Sequence, residues 1–180
     1  ACRMWGVLTL FMTCAGVSAQ TPVSFVRSDA TGAGDGTSWE HAYTDLQAAI
    51  EVAAAVGTAE NPAEVWVAAG TYRPTSWPNG GSAAREKHFS LRNNVKIYGG
   101  FPATGDPTMA DRDPILNITL VSGDIGFAED ASDNCYHAFY HPTGTYLTAR
   151  ALLDGVTVMA GNADGSSMHG EGGGMHNSSS

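Results

Sequence analysis

The sequence has few charged residues and fewer basic ones: nine Lys and Arg stand against eighteen Asp and Glu, and charged residues make up only 15%. Binding duplex nucleic acid requires Lys and Arg to neutralise phosphates. Nine scattered basic residues and a net charge of −9 therefore argue against a nucleic-acid partner. The same charge opposes an anionic polysaccharide unless cations bridge the two. Cysteine is scarce as well, at three residues. Cys2 and Cys14 fall in an N-terminal leader, which leaves Cys135 and no internal disulfide framework. Past that leader, no apolar run approaches the ~20 residues that span a bilayer.

The leader covers 1–19. Arg3 is its only charge, Met4 to Val17 is apolar, and Val17-Ser18-Ala19 supplies the small residues of a signal-peptidase site. Its apolar run is too short for a membrane anchor. A signal peptide predicts an extracellular or outer-membrane-surface protein. The chain opens on Ala1 rather than Met and stops at Ser178-Ser179-Ser180 within a strand pattern. The expectation is therefore a piece lacking its true start and truncated at the C-terminus.

Glycine is abundant at 22 residues, and hydrophobic residues reach 43%. That balance predicts short strands and tight turns around a real core. Val23 to Val26 reads as a first strand, and 29–38 as a Gly/Asp loop. The loop is not an EF-hand, because it has no closing Glu and no flanking helices. One helix follows. Thr44 and Gln47 predict a capping box, Leu46, Ala49, Ile50, Ala53 and Val56 recur at helical spacing, and Gly57 predicts a left-handed C-cap. Trp39 and Tyr43 are expected at the helix entry. Strands are then expected at 65–68, 89–91, 95–98, 118–121, 136–140 and 151–158, with Asp154-Gly155 as a bend within one rung. They start at intervals of roughly 20 to 35 residues, the spacing of solenoid repeats. Loops leave the repeat at 73–88, 102–114 and 126–133.

These elements predict a mainly β chain. It is read as a right-handed single-stranded parallel β-helix with an N-terminal amphipathic capping helix. Residues 20–64 form the strand, loop and cap, and 65–180 the first coils. The cap covers a solenoid end that otherwise exposes strand edges and core.

Several stretches together resemble the bacterial right-handed β-helix repeat proteins of the pectate-lyase-like superfamily. They are Asp35-Gly36-Thr37-Ser38-Trp39, Tyr43 to Ile50, Val65 to Tyr72, Tyr98-Gly99-Gly100-Phe101, Ser122-Gly123-Asp124-Ile125 and Leu153 to Val158. Gly172-Gly173-Gly174-Met175-His176-Asn177 is similar to rung motifs of chlamydial polymorphic outer-membrane proteins. The resemblance covers nearly the whole of 20–180 and implies a secreted or surface protein. The superfamily also holds polysaccharide lyases and hydrolases, but their motifs are missing. Arg73, Arg92 and Arg150 are isolated, no Asn-Thr-Asp occurs, and His169-Gly170 lacks a leading glycine. No catalytic residue is carried over.

Candidate chemistry is thin. Asp106, Asp111 and Asp113 crowd one loop with Arg112 and are candidate calcium ligands through hard oxygens; the plain alternative is a solvated loop with a local ion pair. Asp124, Glu129, Asp130 and Asp133 form a second acidic cluster, and a glycosidase needs two carboxylates at a set separation. Trp77, in a Pro/Gly-rich loop, is a candidate carbohydrate contact through its ring face, or else it folds back on the solenoid. Cys135 reads as a buried thiol; as a nucleophile it needs His137 as base. His169 and His176 read as exposed turn residues, and Asn162 and Asn177 as structural Asn ladders.

The expected function is a non-catalytic, adhesin-like or carbohydrate-contacting surface module whose partner is a polysaccharide or cell-surface glycan. No cofactor beyond calcium is expected. The rivals are a lyase acting on acidic polysaccharide, which needs carboxylates and a basic residue on one face, and a structural spacer for a C-terminal anchor.

Overall fold

A computed structural model describes residues 20–178, so the leader lies outside the described residues. The chain runs through strand β1 (Val23–Val26), helix α1 (Leu46–Val56) and eight further strands. These are β2 (Ala63–Ala68), β3 (Gly70–Tyr72), β4 (Val95–Phe101), β5 (Thr119–Ser122), β6 (Phe139–His141), β7 (Leu152–Asp154), β8 (Val156–Met159) and β9 (Met175–Asn177). They form three sheets, ordered β1-β2-β4-β7, β3-β5-β8 and β6-β9, and every pairing is parallel. A parallel bridge from Phe89 to Phe139 extends the third sheet. The fold is thus mainly strands in parallel sheets with one helix.

From β2 onward the chain visits the sheets in a fixed order three times: β2, β3, Phe89; then β4, β5, β6; then β7, β8, β9. Apolar side chains stack in register down each sheet. The first stacks Val65, Ile97 and Leu153, the second Tyr72, Val121 and Val158, and the third Phe89, Phe139 and Met175. All nine belong to one hydrophobic cluster, so the three sheets face a common core. The bend between β7 and β8 is Gly155, at φ 70°. A Cβ there would lie 2.7 Å from the Gly99 carbonyl oxygen, so the close approach of two successive bends demands glycine.

Helix α1 buries Leu46, Ala49, Ile50 and Ala53 against β1, β2 and β4. Its ends differ from the sequence expectation. Asp45, not Thr44, caps the N-terminus by accepting from the Ala48 amide at 3.0 Å. Gln47 is not its box partner but turns inward to the third sheet. Its Oε1 accepts from the Ser90 amide at 2.8 Å, and its Nε2 donates to the Ser90 carbonyl at 3.3 Å. The helix therefore satisfies the backbone of the first rung of that sheet, where no earlier strand exists to do so. Gly57 is extended (φ −70°, ψ 135°), not left-handed; a Cβ there would meet the Asn94 oxygen at 2.4 Å.

Other boundaries moved too. The stretch expected as a strand at 89–91 contributes one bridge, and the strand expected at 136–140 spans Phe139–His141. Trp39 packs with Phe25, Trp66 and Phe101 on the outer face of the first sheet instead of at the helix entry. Its indole N–H donates to the Pro107 carbonyl at 2.8 Å, which clamps the 102–113 loop over that face.

Candidate functional site

The outward face of the third sheet concentrates imidazoles. The sequence has six histidines, and five of them (His88, His137, His141, His169 and His176) gather on or beside this sheet. The reason is register. Tyr140 pairs with His176, so the outward side chains of successive strands are stacked above one another, while His141, paired with Asn177, alternates to the buried side of Phe139. The His137 ring lies 5.5 Å from Tyr140 in a stacked pair, and 4.9 Å from His176 edge-on. Tyr140 in turn meets His88 edge-on at 5.1 Å. The 167–170 turn closes over the group and stacks His169 on Tyr136 at 4.2 Å.

Hydrogen bonds set the tautomers. A carbonyl only accepts, so the nitrogen facing it carries the proton. His88 Nδ1 faces the Glu86 carbonyl at 2.7 Å, His137 Nδ1 the Gly172 carbonyl at 3.1 Å, and His176 Nδ1 the Met168 carbonyl at 3.0 Å. Each Nε2 is then an acceptor when the ring is neutral. That of His88 takes the Asn79 amide at 3.3 Å, and that of His141 takes the Leu91 amide at 2.8 Å. The Nε2 of His137, a residue only 4% exposed, is buried with no partner. Burial is the largest influence holding His88, His137 and His141 below the ordinary imidazole pKa. At His137 the neighbouring imidazoles of His176, His169 and His88 lower it further.

A cleft of about 380 Å³ opens on this face, lined by Asn79, Glu86, His88, His137, Tyr140, Met168, His169 and the Gly80-Gly81 turn. Glu86 Oε2 accepts from the Ser82 and Ala83 amides, which holds its carboxyl below the usual range, while Oε1 faces His169 Nε2 at 3.9 Å. The Tyr140 hydroxyl donates to the Met168 thioether at 3.5 Å, a weak acceptor. The wall therefore offers ring faces, one weakly held hydroxyl and one carboxylate oxygen. No protein-family model matches the chain, and no curated protein or solved structure matches it either.

The residues singled out from sequence fall elsewhere or act differently. Trp77 does not line the cleft. It lies behind the Gly80-Gly81 turn, 36% exposed, with its N–H donating to the Ala83 carbonyl at 2.8 Å and the Lys87 ammonium 5.5 Å from its ring. The three candidate calcium ligands do not converge. Asp111 accepts from the Thr108 amide and hydroxyl, Asp113 from the Ile115 and Leu116 amides, and Asp106 is exposed beside a different cleft with Arg27 and Glu40. Each bound carboxylate holds its own loop, and among the described residues no three His, Cys, Asp or Glu side chains gather as a metal-holding group. Arg112 pairs with Asp154 on the next rung at 2.7 Å rather than with these aspartates.

The second acidic cluster is divided likewise. Asp130 accepts from Ser132 and Asp133 from the Phe127 amide, while Asp124 and Glu129 share a cleft of about 270 Å³ with Arg73. Arg73 is therefore not isolated; it sits 3.6 Å from the Asp124 carboxylate. Arg92 is paired too, with Glu51 at 2.7 Å. Cys135 is fully buried, and burial pushes its thiol up to about 12, so it is no nucleophile; His137 bonds the Gly172 carbonyl instead. Asn162 and Asn177 form no ladder. Asn162 donates to the Ala131 carbonyl at 2.7 Å, and Asn177 Oδ1 meets His141 Nδ1 at 2.6 Å. His169 and His176 are half-buried members of the ring cluster, not exposed turn residues. Sequence reading missed the cluster because its members come from three rungs. The one available signal was the ring-rich His137-Ala138-Phe139-Tyr140-His141 stretch, whose partners needed the register.

Proposed function

We propose that the chain is a secreted or cell-surface module built as a right-handed parallel β-helix. On this reading it contacts an uncharged glycan through the third-sheet cleft and catalyses nothing. The solenoid reading is supported by three parallel sheets visited in one repeating order, and by strand-to-strand crossovers that run right-handed in parallel sheets. The single observation that carries the glycan reading is the ring-lined cleft. Aromatic faces beside a few polar groups suit a ligand that is apolar on one side and hydroxylated on the other. The Glu86 carboxylate in the wall and the net charge of −9 disfavour uronate chains.

The test is binding of cellohexaose, laminarihexaose, chitohexaose and hexagalacturonate to the whole chain by calorimetry at pH 7.5. The reading expects an uncharged hexamer to bind, and Tyr140→Ala to weaken it about fivefold or more, as for a stacking contact of about 1–3 kcal/mol. Absence of binding by all four would sink it. A second reading, a lyase or hydrolase, is favoured by one observation: Asp124 and Glu129 share a cleft with Arg73 on the second sheet. Release of unsaturated or reducing ends from any of the four hexamers, abolished in Glu129→Gln, would establish that reading instead.

A further inference from the structure

The imidazoles His88, His137 and His169 do more than line a wall. His137 is neutral, nearly sealed from water, and donates through Nδ1 to Gly172, so its Nε2 lone pair faces a buried space without a donor. The groups around it come from every packed element. The loop before the third sheet brings Glu86, His88 and Arg85, with Arg85 held over the Tyr136 ring at 4.2 Å. The His137 segment itself brings Tyr136 and Tyr140, the 167–170 turn brings His169, and β9 brings His176. The only carboxylate among them, Glu86, is already engaged by two backbone amides. A proton on Nε2 would thus create a buried donor and a charge among other imidazoles. Protonating His88 or His141 sets a new N–H against the Asn79 or Leu91 amide, where donor now faces donor.

The element able to yield is the 167–170 turn. Met168 is half exposed, Ser167 holds a left-handed φ of 58°, and the turn is held to the cluster by uncharged contacts, the Met168 carbonyl on His176 Nδ1 at 3.0 Å and the Met168 thioether on the Tyr140 hydroxyl at 3.5 Å. Its flanks are firm. Arg85 grips Asp164 at 2.6 Å and the Asn162 carbonyl at 2.9 Å, and the Gly173 carbonyl accepts from the Ala138 amide at 3.0 Å. We infer that the imidazole cluster is an acid-operated latch: it holds the 167–170 turn on the third sheet at neutral pH and releases it, dismantling one wall of the cleft, when His137 is protonated. The release of a bound glycan on acidification rests on the function proposed above; the latch itself does not.

The experiment therefore needs no ligand. Hydrogen-exchange protection factors, which remove the intrinsic pH dependence of exchange, are measured on the whole chain from pH 8 to pH 5, and the imidazole Cε1–H shifts are followed by NMR over the same range. The latch expects protection of the Met168–Gly173 amides to fall about tenfold per pH unit from about 6.5 down to the His137 transition, the slope of a single linked proton, and to level off below it. The β2 and β4 amides should hold theirs. His137→Gln keeps an acceptor near Nε2 without a titrating group and is expected to flatten the profile. Unchanged protection across the range overturns the latch, as does a loss that the β2 and β4 amides share. If the variant does not fold, the levelling of the wild-type protection profile at the His137 transition decides alone. A working latch with no hexamer bound would leave the latch standing and remove only the glycan reading.

Discussion

The helix-to-sheet contact through Gln47 gives the sharpest stability test. In Gln47→Ala the Ser90 amide and carbonyl both lose their partner, at 2.8 and 3.3 Å, inside a residue that is fully buried. Each buried backbone group left unsatisfied costs about 1–3 kcal/mol. The longer contact to the carbonyl belongs at the low end of that range, so the expected loss is about 2–4 kcal/mol. A surface helix position would change stability by no more than about 0.5 kcal/mol, and Ala48→Ser on the exposed face of the same helix serves as that control. Urea denaturation followed by circular dichroism, with the slope checked for constancy, reads the difference. Gln47→Glu keeps an acceptor for the Ser90 amide but sets a carboxylate oxygen against the Ser90 carbonyl, and should fall no nearer wild type than Gln47→Ala. A Gln47→Ala loss below about 0.5 kcal/mol would refute the idea that the helix completes the first rung of the third sheet.

Gly155→Ala places a side chain at φ 70° with its Cβ 2.7 Å from the Gly99 oxygen, and is expected to cost about 1–3 kcal/mol by the same denaturation measurement. His88, His137 and His141 all have folded pKa values below the ordinary imidazole value. The unfolded chain therefore binds more protons as pH drops, and the melting temperature should fall as pH is lowered through about 6.5 and onward until the folded imidazoles titrate. A melting temperature flat between pH 7.5 and 5 would contradict these shifts. Cys135, buried with its thiol at about 12, should resist a thiol reagent at pH 8 in the native chain and react at once in urea.

Local pattern made much of the architecture legible. The 3.6-residue spacing of Leu46, Ala49, Ile50 and Ala53 located the helix and the face it buries. β-Branched runs such as Val65-Trp66-Val67 and Val95-Lys96-Ile97 located strands of the first sheet. The Gly155 bend was readable because no other residue turns there without strain. Legibility failed where a long-range partner decided the matter. Asp45 displaced Thr44 as cap while its other carboxylate oxygen accepted from the Thr75 hydroxyl, and Gln47 left its local role for Ser90. The aspartates at 111 and 113 looked like a cation site because they are close in sequence, yet each turned back to its own amides.

The candidate site was the least legible part. Trp77 drew attention as an aromatic in a Pro/Gly loop, but its ring packs on Gly81 and its N–H bonds within that loop. The cleft instead takes His88, Tyr140 and His169 from rungs and loops far apart in the chain, none of them conspicuous alone.

By itself the sequence determined the helix, the short apolar strands, the glycine bends and a strongly acidic surface, since each follows from side-chain volume, periodicity or charge that needs no partner. Only the tertiary structure decided which strands pair, that Tyr140 stands beside His176 and His88, and that four of six histidines (His88, His137, His169 and His176) therefore share one ring cluster. Register is the physical reason. A shift of one residue turns every side chain to the opposite side, and nothing within a single short strand records which residue of the next rung it will face.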